Sequence, residues 1–382
     1  MEPGRQKTMT PTANAPTVAS FFAGLGGLDL GFMWEGYQIA WANDVSPHAT
    51  KTYTLNHGLV PTCQDITHIA WREIPETDVI IGGPPCQSFS LVGKRRPGDK
   101  RGQLVFSFLG AITELHPAAF VMENVPGIAA SRVNSVRLPD LLVEQFSDLG
   151  YMVKKMVLTA TDYLVPQRRK RLFIVGHEKR QPEVPDPAQF ARECYGVDAD
   201  TFDLSASSAI GDLGAPVPRG ERASYGPMEP TQFARIMRAN NARDVSLHEQ
   251  QKISQRDQLY AEIIPPGGNY QDIPNDLATP RILKFKQSGG RTTTYGKLHP
   301  DHPAYTINTY FRRPNVGCNF HYAQSRLITP REAMRFQSIP DYIELVYSSQ
   351  DNRNALIGNA VPPLLARAIA WTLKKCFTGA SD

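Results

Sequence analysis

The chain has 382 residues, 41% of them hydrophobic and 20% charged, enough for two domains of ordinary globular composition, which excludes disorder throughout. Its net charge of +4 permits an anionic partner without demanding one. The five cysteines (Cys63, Cys86, Cys194, Cys318 and Cys376) are odd in number, widely spread and free of C-x-x-C spacing, so neither a disulfide framework nor a metal site is expected. The sequence shows no long apolar run, and its first seventeen residues are polar and Pro/Thr-rich. The expectation is a cytoplasmic protein with a flexible tail over 1–17 and no membrane partner.

Val18 to Phe22 reads as a buried strand, followed at once by Ala23-Gly24-Leu25-Gly26-Gly27 and a helix-like stretch. Strand, glycine loop and helix in that order suit a nucleotide, although a tight turn or a nicotinamide-binding fold fits the same pattern. A second strand, Gln38 to Ala42, ends at Asn43-Asp44, which places a carboxylate about twenty residues past the glycines, where ribose hydroxyls are bound in such folds. Asp65 follows, just before Ile66.

Thr77 to Ile81 predicts a third strand, and the loop leaving it is Gly82-Gly83-Pro84-Pro85-Cys86-Gln87-Ser88-Phe89-Ser90. Glycines bend this loop, prolines stiffen it, and it displays one thiol, either a nucleophile or an inert buried cysteine. Gly93 to Gly102 then carries Lys94, Arg95, Arg96, Lys100 and Arg101 against a single acid, Asp99. A solvated excursion is the plain reading of that run; its place beside the thiol suggests contact with an anionic polymer.

Leu104 to Leu115 has helical spacing, and Ala118 to Met122 is another buried strand running into Glu123-Asn124-Val125. A helix over Leu138–Leu149 and a strand over Tyr151–Leu158 follow. Pro166-Gln167-Arg168-Arg169-Lys170-Arg171 precedes the core strand Leu172 to Gly176, which argues that at least one arginine points inward. From Gln181 onward prolines and glycines are frequent, only Ser246 to Ile264 looks like a long helix, and strand-like alternation is confined to Arg291–Tyr295 and Ala304–Tyr310. Basic residues near those strands, Arg312 among them, suit phosphate contacts. Thr329-Pro330 starts a helix, and Gly358-Asn359-Ala360-Val361-Pro362-Pro363 opens a last one ending near Lys375.

Phe22 to Gly27, Gly83 to Ser90, Glu123 to Val125, Gln167 to Arg171 and Gly358 to Val361 stand in the linear order of a known family. The chain resembles the DNA cytosine-5 methyltransferases of bacterial restriction-modification systems over 18–176 and 326–375. The resemblance implies an α/β fold, a Rossmann-like doubly wound, mostly parallel sheet of the S-adenosylmethionine-dependent methyltransferase type, with a smaller, mixed, loop-rich target-recognition domain. On this view 18–180 is catalytic, 181–325 recognises the target, and 326–382 returns to the catalytic domain.

The implied reaction transfers a methyl group from S-adenosylmethionine, leaving S-adenosylhomocysteine, to carbon-5 of a flipped-out cytosine. Cys86 would add to carbon-6; Glu123, protonated or sharing its proton, would meet N3 and the exocyclic amine; Arg171 would hold O2; Arg169 would be a structural brace. Phe22, Ala23, Gly24, Gly26, Asp44, Asp65, Ile66, Leu104, Asn359 and Val361 would form the cofactor pocket. Gln87, Ser90, Lys94, Arg95, Arg96, Arg101, Thr306 and Arg312 would meet double-stranded DNA. A monomer without metal is expected, sharing its site with a cognate endonuclease without a stable complex. The family commonly has an acid in place of Ser20 and a glutamate in place of Asp44. Methylation of transfer RNA uses the same catalytic parts, and a silent DNA-binding relative would keep the fold; the intact set Cys86, Glu123 and Arg171 speaks against the latter.

Overall fold

A five-residue apolar run such as Thr17–Phe21 cannot satisfy its own backbone, and pairing with similar runs solves that while burying both faces. The computed structural model, which describes residues 15–85, 103–133, 135–238 and 242–378, has such a sheet. Among the described residues it has six strands: β1 Thr17–Phe21, β2 Gln38–Ala42, β3 Val79–Gly82, β4 Ala119–Asn124, β5 Met152–Thr159 and β6 Lys170–His177. Their order is β2-β1-β3-β4-β6-β5. The first four are mutually parallel, and β6 runs against both its neighbours.

The chain moves from β1 outward to β2 and then returns to the other side of β1 as β3. Carboxyl-end loops of β1 and β3 therefore diverge, which opens the crevice where such sheets bind ligands. Alternate residues along the strands bury opposite faces. Phe21, Ile80, Phe120, Met122 and Ile174 form one core with Phe108 of helix α3 (Gln103–Leu115) and Phe146 of helix α4 (Leu138–Asp148). Val18, Val79, Ile81, Val121 and Val175, on the other alternation, are fully buried too, so both faces are covered.

Helix α1 (Gly27–Trp34) lies against the C-terminal helix Pro363–Thr378 so closely that a side chain at Gly31 would strike Ala366 and Arg367. Arg367 Nε reaches Glu35 Oε1 at 2.6 Å across the same contact. The stretch Gln350–Thr378 is long and apolar enough to cross a membrane, but 83% of its most apolar window is buried, as in a core helix.

The described residues divide into two compact units: 15–163, 170–196 and 361–378 form the one just described, and 164–169 with 197–360 form the other. These boundaries differ from the sequence-based ones at 181 and 326. In the second unit the helix Pro330–Phe336 starts at Thr329 with a capping box to Glu332 and is buried along its whole length. Its charges are paired accordingly. Arg335 bonds Asp341 and Asp212, and Arg326 bonds Glu332.

The expected long helix Ser246–Ile264 is shorter, spanning Gln255–Ile263. Ser254 caps it by accepting from the Asp257 N–H, and Leu247, at φ 62°, breaks the earlier part. His248 there is drawn inward, bonding Thr329 Oγ1 and the Gly214 carbonyl. Arg291–Tyr295 is likewise a turn leading into the two-residue strand Gly296–Lys297, because Tyr295 takes φ 53°, and of Ala304–Tyr310 only Ala304–Tyr305 pairs as a strand.

Asp29 in α1 is fully buried; one carboxylate oxygen accepts from the Tyr53 hydroxyl at 2.8 Å, and the other has no hydrogen-bond partner among the described residues. Burial pushes its pKa up to about 6, opposed by Tyr53 and less directly by Ser20. A raised carboxyl pKa means stability present below the unfolded value near 4 and lost as pH rises through about 6. Asp29→Asn is therefore expected to stabilise the protein by about 1–3 kcal/mol at pH 8 and to flatten stability between pH 4 and 7. Thermal melting across that range tests this; equal or lower midpoints for the variant at pH 8 would contradict it.

Candidate active site

Polar side chains collect at the carboxyl ends of the parallel strands. After β1 the backbone folds back within Phe22–Gly26, with φ of 55° at Phe22, 59° at Gly24 and 88° at Gly26. Such angles cost little only for glycine, so the sequence suits the shape at Gly24 and Gly26, whereas Phe22 takes its left-handed angle at a cost. Ala23 N–H donates to the Asn43 carbonyl and Gly26 N–H to the Ala23 carbonyl, closing the turn. A side chain at Gly27 would run into the Val361 carbonyl, which places the backbone of Val361 directly over the start of α1.

Asp44, just past β2, accepts from the Gly24 N–H at 2.9 Å with Oδ2 and from the Ser46 N–H at 2.8 Å with Oδ1. Burial raises its pKa, and those two backbone donors oppose the rise. Each carboxylate oxygen keeps a further lone pair for an incoming hydroxyl. Asn43 Nδ2 donates to the carbonyls of Thr62 and Gln64, which ties the segment carrying Asp65 to the end of β2. Asp65 itself caps the turn Ile66–His68, accepting from the Thr67 N–H and hydroxyl, while Ile66 is buried. Phe22 and Leu104 lie partly buried against the core that contains Ile66.

The loop after β3 is fixed from the side. Asn124 Nδ2, at the end of β4, donates to the Pro84 carbonyl at 2.9 Å, and its Oδ1 accepts from the Val125 N–H. Gly83 lies over Glu123, where an added Cβ would approach Oε2 to 3.1 Å. Because β6 is antiparallel to β4, the beginning of β6 stands beside the end of β4, and Arg171 Nε meets Glu123 Oε1 at 2.6 Å. Their side chains are only 11% and 10% exposed. Burial lowers the Arg171 pKa and Glu123 raises it. Arg171 also donates to the Lys170 carbonyl.

Cys86, Gln87, Ser90, Lys94, Arg95, Arg96 and Arg101 lie outside the described residues. The described chain reaches Pro85, immediately before the thiol.

Two residues before Arg171, Arg169 belongs to the other unit. It is 1% exposed and donates to the carbonyls of Ile307, Gly358 and Ala360. Thr306 Oγ1 donates to the Arg168 carbonyl at 2.7 Å, beside the pairing of Gln167–Arg168 with Ala304–Tyr305. Arg312 Nε sits 2.8 Å from Asp351 Oδ1, and Arg313 stacks over the exposed ring of Tyr310. Asn359, the last residue of the helix Gln350–Asn359, is exposed. Among the described residues no cluster of three or more His, Cys, Asp or Glu has the arrangement of a metal site.

With that geometry in place, residues 17–375 match the family described as C-5 cytosine-specific DNA methylase. The chain belongs to that family. It is 34% identical to the type II methyltransferase M.NgoFVII of Neisseria gonorrhoeae over 93% of this chain and 85% of that protein. With M.AgeI of Thalassovita gelatinovora the identity is 31%, covering 92% and 98%. Among solved structures, one described as a prophage-encoded DNA modification methyltransferase (E. coli) superposes with a TM-score of 0.71 at 21% identity, covering 95% of this chain and 99% of that one. This C-5 cytosine DNA methyltransferase thus has the expected fold class, and its family uses S-adenosylmethionine.

Asn124 and Asn43 were not singled out by the sequence; each acts on a loop backbone, and only the Asn beside Glu123 in the matching motif hinted at it. Arg169 carries a prediction of its own. Its planar fork serves carbonyls in three directions, which an ammonium cannot reproduce. Arg169→Lys is expected to cost about 2–4 kcal/mol of stability, read in urea unfolding. A midpoint unchanged from wild type would show the brace to be dispensable.

Proposed function

We propose that this DNA methyltransferase modifies one cytosine in a short, specific duplex sequence through a covalent adduct of Cys86 at carbon-6, as the modification partner of a type II restriction-modification pair. The observation that carries the reading is the Glu123–Arg171 pair at 2.6 Å, beside the Gly83–Pro85 segment that leads to Cys86. Carbon-5 of cytosine is a weak nucleophile, and thiolate addition at carbon-6 pushes electrons toward N3. Glu123 would face N3 and the exocyclic amine, and Arg171 would hold O2 while keeping Glu123 in place. Once the activated carbon-5 has taken the methyl group, a base removes the carbon-5 proton and Cys86 departs as the thiolate, restoring the ring.

Bound S-adenosylmethionine supplies the electrophilic methyl group. The cradle at the end of β1 fits it: two left-handed glycines let the backbone approach, and Asp44 retains acceptor capacity for ribose hydroxyls. Phe22, Ala23, Gly24, Gly26, Asp65, Ile66, Leu104, Asn359 and Val361 are the remaining candidates. Reaction without a metal ion fits these residue types, since the thiol, acid and guanidinium supply nucleophile, proton handling and charge.

Gln87, Ser90, Lys94, Arg95, Arg96 and Arg101, with Thr306 and Arg312, are the proposed DNA contacts. The Arg312–Asp351 pair is on the surface and of low energy, so exchange of the carboxylate for a phosphate costs little. We further propose a cytoplasmic monomer whose cognate endonuclease shares the site without binding the enzyme stably.

The deciding experiment is methylation sequencing of plasmid DNA from cells expressing the wild type or Cys86→Ala. Modified cytosines within one short motif, absent with the variant, are expected. Modification by the variant would remove Cys86 from the mechanism. Glu123→Gln is expected to lower kcat by roughly 100-fold or more with DNA affinity retained. A wild-type rate in that variant would exclude the proton-handling role. Binding should weaken steeply with salt, and affinity indifferent to ionic strength would argue against the basic contacts.

A further inference from the structure

The glycine loop is held on two sides by the two ends of one helix. Helix α2 spans eleven residues, Pro47–His57, and begins at the N-cap Ser46. At its start, Asp44 binds the Ser46 N–H and reaches across to the Gly24 N–H at 2.9 Å. At its end, His57 Nε2 lies 3.0 Å from the Leu25 carbonyl oxygen. A carbonyl only accepts, so the imidazole carries its proton on Nε2 and donates. The ring is held from behind by Tyr53, whose ring centroid is 4.4 Å away and whose hydroxyl is committed to Asp29 in α1. Gly26 lies against the same imidazole, and any side chain there would strike it. Burial lowers the His57 pKa while the Leu25 carbonyl opposes that, consistent with a neutral donor.

The N–H of Gly24 and the C=O of Leu25 belong to consecutive residues. Pinning both restricts the conformations open to the loop, and α2 sets the separation of the two pins. We infer that His57 is a positioning residue for the cofactor: by holding the Leu25 carbonyl it keeps the glycine loop in the conformation that accepts S-adenosylmethionine. The inference rests on the reading that Ala23–Gly27 is the cofactor loop. Without the bond, the loop samples arrangements in which the Leu25 carbonyl is free, and apparent affinity falls in proportion to the competent fraction. The chemical step, which involves none of these atoms, is spared.

The test compares wild type with His57→Phe, which keeps an aromatic ring on Tyr53 but has no donor, and His57→Gln, whose amide nitrogen can donate from a similar position. S-adenosylmethionine affinity is measured by calorimetry, and KM and kcat by methyl incorporation into DNA. His57→Phe is expected to weaken cofactor binding and raise its KM by about tenfold, with kcat at saturation and DNA affinity changed less than about twofold. His57→Gln is expected to recover most of that loss. Equal affinity in wild type and His57→Phe would overturn the inference, as would an equal loss in both variants, which would assign the effect to ring packing. Wild type that does not bind S-adenosylmethionine would instead remove the cofactor-loop reading beneath it. Independently of any variant's folding, the nitrogen-15 shifts of His57 in the wild type are expected to report a neutral Nε2–H imidazole; an Nδ1–H tautomer would overturn the proposal.

Discussion

The pairing of β4 with β6 is the constraint on which the rest of the candidate site depends. Glu123 lies opposite Phe173 and Asn124 opposite Leu172 in an antiparallel ladder, so the beginning of β6 is fixed beside the end of β4. Had β6 run parallel, Arg171 would stand at the amino edge of the sheet, a full strand length from Glu123. The reversal puts a guanidinium from one strand against a carboxylate from another without any loop having to deliver either. Two nearly buried charges then neutralise each other at 2.6 Å, which makes their burial tolerable. A register slip of one residue would turn Glu123 to the other face of the sheet and leave Arg171 buried alone.

The loops at the other strand ends have no such ladder and are held by side chains acting on backbone. Asn124 takes the Pro84 carbonyl, Asp44 takes the Gly24 N–H, and Asn43 takes the carbonyls of Thr62 and Gln64. Each bond satisfies a polar group at the edge of the core, where leaving it unpaired would cost more than the bond gains. Strand ends thereby transmit the rigidity of the sheet to segments that have no regular structure. Arg169 does the same in the other unit, where one guanidinium serves the carbonyls of Ile307, Gly358 and Ala360. Alternate residues of one basic run, Arg169 and Arg171, are thus divided between two units and between two kinds of work, carbonyl bridging and carboxylate pairing.

Much of this was legible in the sequence because it is local. A short apolar run followed by glycines, an acid or Glu-Asn reveals both the strand and what stands at its end, and the family motifs add the grouping. The pins were not legible. Asn124 and Pro84 are 40 residues apart and His57 and Leu25 are 32 apart, and nothing about either sequence neighbourhood names its partner. The segment before Ser254 misled for a related reason. Its residues have helix-compatible spacing, but His248 is drawn to Thr329 and Gly214, and those long-range bonds override local preference. Boundaries followed the same logic: 164–169 precede a core strand in sequence yet join the second unit, because Gln167–Arg168 pair with Ala304–Tyr305 and Gln167 Nε2 donates to the Phe336 carbonyl.

Asp44 gives the shorter acid at this position a physical rationale. A longer side chain would carry its carboxylate a methylene further from its own backbone, past the Ser46 N–H that Oδ1 now accepts two residues on, a compact local turn natural to aspartate. The same carboxylate holds the Gly24 N–H and the N–H of Ser46, the N-cap of α2. An acid engaged by two backbone donors has its position fixed by the fold itself, and it joins the loop after β1 to the segment after β2.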